Sequence, residues 1–144
     1  MLVCSLLIGL IDNRLFDNYF LQAQRVRKLI QLEFDDIFRH SNPLSPSYNP
    51  TTLSTGVDVL LHPSAISTAP LINAVAPSST VGYVQDILNV PSSLAGLPAI
   101  SIPVGRAENG WPVGVQIVGQ WGADELVMRI GRAVQESGEV EKTR

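Results

Sequence analysis

Apolar residues recur at three- and four-residue spacing between Phe16 and Arg39, at Phe16, Tyr19, Phe20, Ala23, Val26, Ile30, Phe34, Ile37 and Phe38. Positions three and four apart share one face of a helix, so the pattern predicts an amphipathic helix over 16–39. The other face carries Gln22, Gln24, Arg25, Arg27, Lys28, Gln31 and Asp35. Glu33, Asp35 and Asp36 crowd the C-terminal half, where the helix dipole disfavours anions. A tertiary cation or a partner would answer them; a solvated face bearing a small cost is the simpler account.

Beyond this helix the pattern breaks into short pieces. Residues 40–56 are rich in Pro, Ser, Asn and Thr and read as an exposed loop or insertion. Val57 to His62 reads as a short buried strand stopped by Pro63. Residues 64–80 show no clear period, and Tyr83 to Leu88 fits one or two helical turns that end before Pro91. Two apolar strands follow, Ala99 to Val104 and Val113 to Val118, joined by a segment whose Asn109-Gly110 pair is a strong turn signal, so they are expected to form a hairpin. Pro103 lacks a ladder donor and places its strand at an edge or near a strand end. A last helix is expected from Ala123 to Glu136, with Asp124 and Glu125 in its first turn, Gly138 as its C-cap, and a frayed tail over 138–144. The sum is an α/β fold, a mixed sheet with flanking helices. Strands apolar on both faces need helices on both sides, and a chain with two long helices is too small to close its own sheet.

Composition narrows the function classes. The 144 residues are 45% hydrophobic and 16% charged, a globular composition about one domain long. A net charge of -3 offers no basic field for nucleic acid, which needs clustered Lys and Arg. The single cysteine, Cys4, cannot make an internal disulfide, and two histidines, His40 and His62, leave little material for a histidine-based metal site. The apolar run MLVCSLLIGLI is shorter than the ~20 residues that span a bilayer. Its first basic residue, Arg14, comes after the run, unlike a secretory signal, and the Arg/Ser-rich face of a mitochondrial presequence is also missing. No membrane contact is expected.

No self-contained catalytic motif stands out: there is no GxSxG, Gly-rich phosphate loop, HExxH or CxxC. A serine nucleophile paired with lysine needs the amine close by, and the only lysines are Lys28 and Lys142. Ser78-Ser79 and Ser92-Ser93 therefore read as loop and cap serines. Asp58 and His62 fall on the same side of the expected strand, where a structural role for the histidine is the simpler reading. The stretch DILNVPSSLAGLPAISIPVG, followed by GWPVGVQIVG, alternates small residues and prolines with apolar strand. Small residues let backbone approach closely and prolines fix direction, which suits the wall of a pocket.

These two blocks resemble the amidase-signature family: Asn89 to Gly105 is similar to its Pro-x-Asn-Leu-Ala-Gly-x-Pro block and Trp111 to Gly119 to its Gly-x-Pro-x-Gly-x-Gln-x-x-Gly continuation. YFLQAQRVRKLIQLEFDDIF and VDVLLHPSA are similar to the family's Ala-Gln-x-Val-Arg helix and Val-Asp strand, so the resemblance covers most of 16–136 in order. Within the family, the run Ala23 to Arg27 and Asp86 resemble the A-type subunits of glutamyl-tRNA(Gln) amidotransferases. The resemblance implies that Asp86 faces the α-amino group of the substrate glutamine, and a carboxylate on an ammonium would select an amino acid over a plain amide. The alternative reading is that Asp86 merely caps its short helix.

The resemblance further implies a Ser-cisSer-Lys amidase that attacks the glutamine side-chain amide, forms an acyl-enzyme and releases ammonia. None of those three residues has a match in this chain. Residues 1–14 form a divergent start where the family has a helix with a carboxylate-holding arginine, Ser93 stands where Asn is usual, and 40–56 is an insertion. The expectation is thus a C-terminal fragment of a single amidase domain, inactive alone. Its implied partners are B and C type amidotransferase subunits, with glutamine as substrate and tRNA met only indirectly. No cofactor is expected in this chain, ATP and Mg being used by the partner subunit. The implied compartment is the mitochondrial matrix in a eukaryote and the cytoplasm otherwise. The competing readings are a general amidase for small or fatty amides, in which Asp86 would meet no ammonium, and a non-catalytic module that docks subunits through the long helix.

Overall fold

The computed structural model describes residues 19–45, 55–70, 84 and 86–142. In chain order the elements are α1 (Leu21–Ile37), β1 (Val59–Pro63), α2 (Val90–Ala95), β2 (Ala99–Arg106), β3 (Pro112–Gly119) and α3 (Asp124–Lys142). The class is α/β. The expectations for residues 1–18, 46–54, 71–83, 85 and 143–144, including Ser78-Ser79, lie outside the described residues.

The three strands form a sheet in the order β1-β3-β2, antiparallel throughout. β3 lies in the centre, with Ile117 opposite Leu61 on one side and Ile100 on the other. Alternation along the strands puts Val59, Ile100, Ile102 and Ile117 on one face. α3 covers that face with Val127, Ile130 and Val134, and Ile117 is wholly buried there. Asp124 and Glu125 occupy the first turn of α3, where the dipole favours acids. The helix runs on through Gly138 to Lys142, so Gly138 does not end it. On its outer surface the Arg132 guanidinium is held above its usual pKa by its hydrogen bond to, and attraction from, the Glu136 carboxylate.

The predicted hairpin is β2–β3. Ala107 donates to the Trp111 carbonyl at 2.9 Å and Gly110 to that of Ala107 at 2.8 Å, while Asn109 Oδ1 accepts the Trp111 N–H at 3.1 Å. Asn and Asp favour such turns because the side chain can bond its own backbone two residues on. Pro103 does lie in an edge strand, and the pairing register shifts between Pro103 and Gly105, a bulge that accommodates the missing donor.

β1 begins and ends later than its apolar pattern predicts. Val57 spends its backbone bonds on the end of α1, accepting from Arg39 at 2.8 Å and donating to Ile37 at 3.0 Å, in a parallel bridge with Phe38. Pro63 is the last strand residue rather than the residue after it. A Cβ on Gly56 would run into the backbone of Phe38 and Arg39, which explains a glycine where this junction closes.

The end of α1 is fastened to the sheet by one buried amide. Gln120, 2% exposed, donates through Nε2 to Asp35 Oδ1 at 3.0 Å and to the His40 carbonyl at 3.3 Å, and its Oε1 accepts the Trp121 N–H at 2.8 Å. Asp35 is therefore answered by a neutral donor, while Glu33 and Asp36 are exposed. Replacing Gln120 by Leu strands these groups, and each unmade buried bond costs roughly 1–3 kcal/mol. Gln120→Leu should lower unfolding stability in urea, followed by tryptophan fluorescence, by about 2–4 kcal/mol; a loss below about 0.5 kcal/mol would contradict the clamp.

Candidate functional site

On the sheet face opposite α3, the register sets His62, Gln116 and Ser101 side by side across β1, β3 and β2. This polar row interrupts the apolar strands and lies beside a cleft of about 900 Å³. Residues 63–69 form one side of the cleft, and Leu88, 101–103 and 112–114 the rest.

Ser64 holds the cleft wall together. Its N–H donates to the Gly114 carbonyl at 2.9 Å, its hydroxyl is hydrogen-bonded to that of Ser101, and its carbonyl accepts Asn89 Nδ2 at 2.9 Å. One residue thus ties the segment leaving β1 to the hairpin and to the turn before α2. The two wall serines bond one another, and Lys28, exposed on α1, does not line the cleft, so no serine–lysine pair forms at the cleft among the described residues.

The helical turn expected before Pro91 is there, with Val84 and Asp86 helical, and it ends in a turn at 87–89; what the pattern did not predict is α2, a second helix that begins at Val90. Proline in the first turn of a helix loses nothing, because the N–H it lacks would be unpaired there anyway. Pro91 accordingly sits in the first turn of α2, and the chain before it, 87–89, is a turn. Ser92, 2% exposed, donates its hydroxyl to the Asn89 carbonyl at 3.0 Å from inside α2, so it is a local brace and not the expected cap, a position that Asn89 holds. At the far end Gly96 adopts a left-handed φ of 77° and donates to the carbonyls of Ser92 and Ser93, while Leu97 donates to Ser92 at 3.1 Å. This conformation favours glycine and satisfies carbonyls at the helix end.

Asp86 lies at the N-terminal end of this unit. Its carbonyl accepts the Asn89 N–H at 3.0 Å. Its side chain is exposed, two residues before the cleft-lining Leu88, and has no ion pair among the described residues. Asp58 and His62, by contrast, do not form a pair. Asp58 meets Arg39 at 3.2 Å and His40 at 3.7 Å, and the His62 ring Nδ1 lies 2.9 Å from the Pro63 carbonyl. Among the described residues no group of three or more His, Cys, Asp or Glu could hold a metal.

Sequence reasoning missed Ser64, Ser101 and Asn89, whose partners lie 37 and 25 residues away with no periodic signal. Asn89 Oδ1 and Gln116 Oε1 are buried acceptors without a partner among the described residues. Such atoms cost about 1–3 kcal/mol each when left unpaired.

The family model described as amidase matches residues 5–128. The chain is 50% identical over 125 residues to the mitochondrial A-type subunit of the glutamyl-tRNA(Gln) amidotransferase of Mycosarcoma maydis, covering 83% of this chain and 23% of that protein. It is 37% identical over 128 residues to the corresponding A-type subunit of Synechococcus sp. (strain WH7803), covering 89% and 23%. The crystal structure of the A-type subunit of the Thermotoga maritima glutamyl-tRNA(Gln) amidotransferase matches with a TM-score of 0.65 and 35% identity, over 83% of this chain and 22% of that one. A 6-aminohexanoate cyclic dimer hydrolase, 19% identical with a TM-score of 0.58 over 88% of this chain and 25% of that one, shares the fold. The chain spans about a quarter of the length of these relatives. With the family model spanning most of its length and the pocket-wall blocks forming one connected hairpin and helix, the chain belongs to the amidase family.

Proposed function

We propose that the chain is the C-terminal portion of the glutamine amidase subunit that supplies ammonia for converting Glu-tRNA(Gln) to Gln-tRNA(Gln). The observation that carries this reading is the 50% identity to the Mycosarcoma maydis protein over 83% of the chain. In this reading the unit 86–97 and the cleft wall form one side of the amide-donor site, and Asp86 receives the α-ammonium of glutamine. An exposed carboxylate two residues from the cleft-lining Leu88 can make a charge-assisted hydrogen bond to an ammonium, and a substrate lacking that group would leave the bond unmade. A general amidase for small or fatty amides would gain nothing from Asp86.

The nucleophilic serine and the lysine that activates it come from outside this chain. Once they have opened the side-chain amide, ammonia leaves and water returns the acyl-enzyme to glutamate. The chain's own contribution is to bind and orient. Its partners are B and C type subunits, one of which uses ATP and Mg to activate the tRNA-bound glutamate; tRNA is met only through them. The relatives named mitochondrial support the mitochondrial matrix as the compartment in a eukaryote. No helix among the described residues is long and apolar enough to cross a membrane.

The purified chain should release no ammonia from glutamine in a coupled glutamate dehydrogenase assay; measurable turnover that scales with protein would overturn the division of labour. In the full-length relative, replacing the aspartate aligned with Asp86 by alanine should raise the glutamine KM roughly tenfold or more with kcat little changed, the pattern of a lost binding contact. An unchanged KM would favour the general amidase.

A further inference from the structure

The two features that mark the amidotransferase resemblance, the run Ala23 to Arg27 and Asp86, lie some sixty residues apart in sequence. In the fold they are mechanically joined. Arg27 Nε donates to the Leu94 carbonyl at 2.7 Å, and Gln31 Nε2, one turn further along α1, donates to the Ala95 carbonyl at 3.2 Å. Leu94 and Ala95 are the last two residues of α2, and the final carbonyls of a helix have no partner within it. A guanidinium at that end is favoured by charge-assisted bonding and by the sign of the helix dipole.

A helix of six residues, about 9 Å long, is not stable by itself, so its place is set by what holds its ends. One end is held by Asn89 on the Ser64 carbonyl, at the cleft wall. The other is held by Arg27 and Gln31. Asp86 hangs from the first end, through the bond between its carbonyl and the Asn89 N–H.

We propose that Arg27 and Gln31 are positioning residues for the amide-donor contact: by holding the C-terminal end of α2 against α1, they fix where the turn that carries Asp86 leads into the cleft-lining Leu88. This rests on the reading of Asp86 as the ammonium contact. Neither residue touches substrate; they act through α2.

The test is glutaminase kinetics of the full-length enzyme carrying these residues, with Arg27→Ala, Arg27→Lys, Gln31→Leu, Asp86→Ala and the double variant Arg27→Ala/Asp86→Ala. Arg27→Ala should raise the glutamine KM roughly five- to tenfold with kcat within about twofold, and Gln31→Leu should act in the same direction but less. Arg27→Lys, which keeps a cation and a donor, should recover most of the KM. The double variant should have the KM of Asp86→Ala alone, since residues acting through one contact are not additive. Three outcomes overturn the inference while leaving the role of Asp86 intact. These are a raised KM for Asp86→Ala beside an unchanged KM for Arg27→Ala, multiplicative effects in the double variant, or an Arg27→Ala enzyme that only melts earlier and loses kcat per mole at constant KM. An unchanged KM for Asp86→Ala overturns the proposed function itself, and the inference with it.

Discussion

The arrangement depends on β3 being paired along both edges. Its backbone bonds go to β1 on one side and β2 on the other, so one strand sets the register of the whole sheet. A slip of one residue would turn Ile117 from beneath α3 to the opposite face and bring Gln116 under the helix. Burying an aliphatic side chain is worth roughly 1.5–3 kcal/mol, so the place of Ile117 beneath α3 favours the observed register. That register also sets the polar row His62, Gln116 and Ser101 opposite α3, where the cleft lies.

From that row the mostly apolar wall of the cleft is held in place by hydrogen-bonded tethers. Ser64 bonds to the hairpin through its backbone and hydroxyl and to Asn89 through its carbonyl. α2 hangs between this tether and the side chains of α1, and α1 is in turn fastened to the end of β3 by Gln120. The elements form a closed loop of contacts, α1 to α2 to cleft wall to sheet and back to α1. The surface ion pair of Arg39 with Asp58 adds little to this loop, since exposed pairs contribute about 0–1 kcal/mol.

What the sequence disclosed follows from the range of the interactions. The long helix and the hairpin were legible because apolar spacing and the Asn109-Gly110 turn are local signals, and both pocket-wall blocks were legible as motifs. α2 was not, because proline ends one helix and begins another with the same chemistry, and only the bonds of Ser92 and Gly96 decide between them. The start of β1 was misplaced since Val57 is as apolar as a strand residue but pairs with Phe38. Gln120 carried no signal at all: its partners are 80 and 85 residues away, and a glutamine after a strand looks like surface. The same holds for Arg27, which reads as one more cation on a polar helix face until the end of α2 is set against it.

The central claim is that the turn before α2 presents a carboxylate to an amino-acid amide. A crystal structure of the complete amidase assembly with glutamine bound tests it most directly. An Asp86 carboxylate oxygen is expected about 2.7–2.9 Å from the α-ammonium nitrogen, the range of charge-assisted bonds. Glutamine bound with its ammonium on another group, and Asp86 facing solvent, would contradict it.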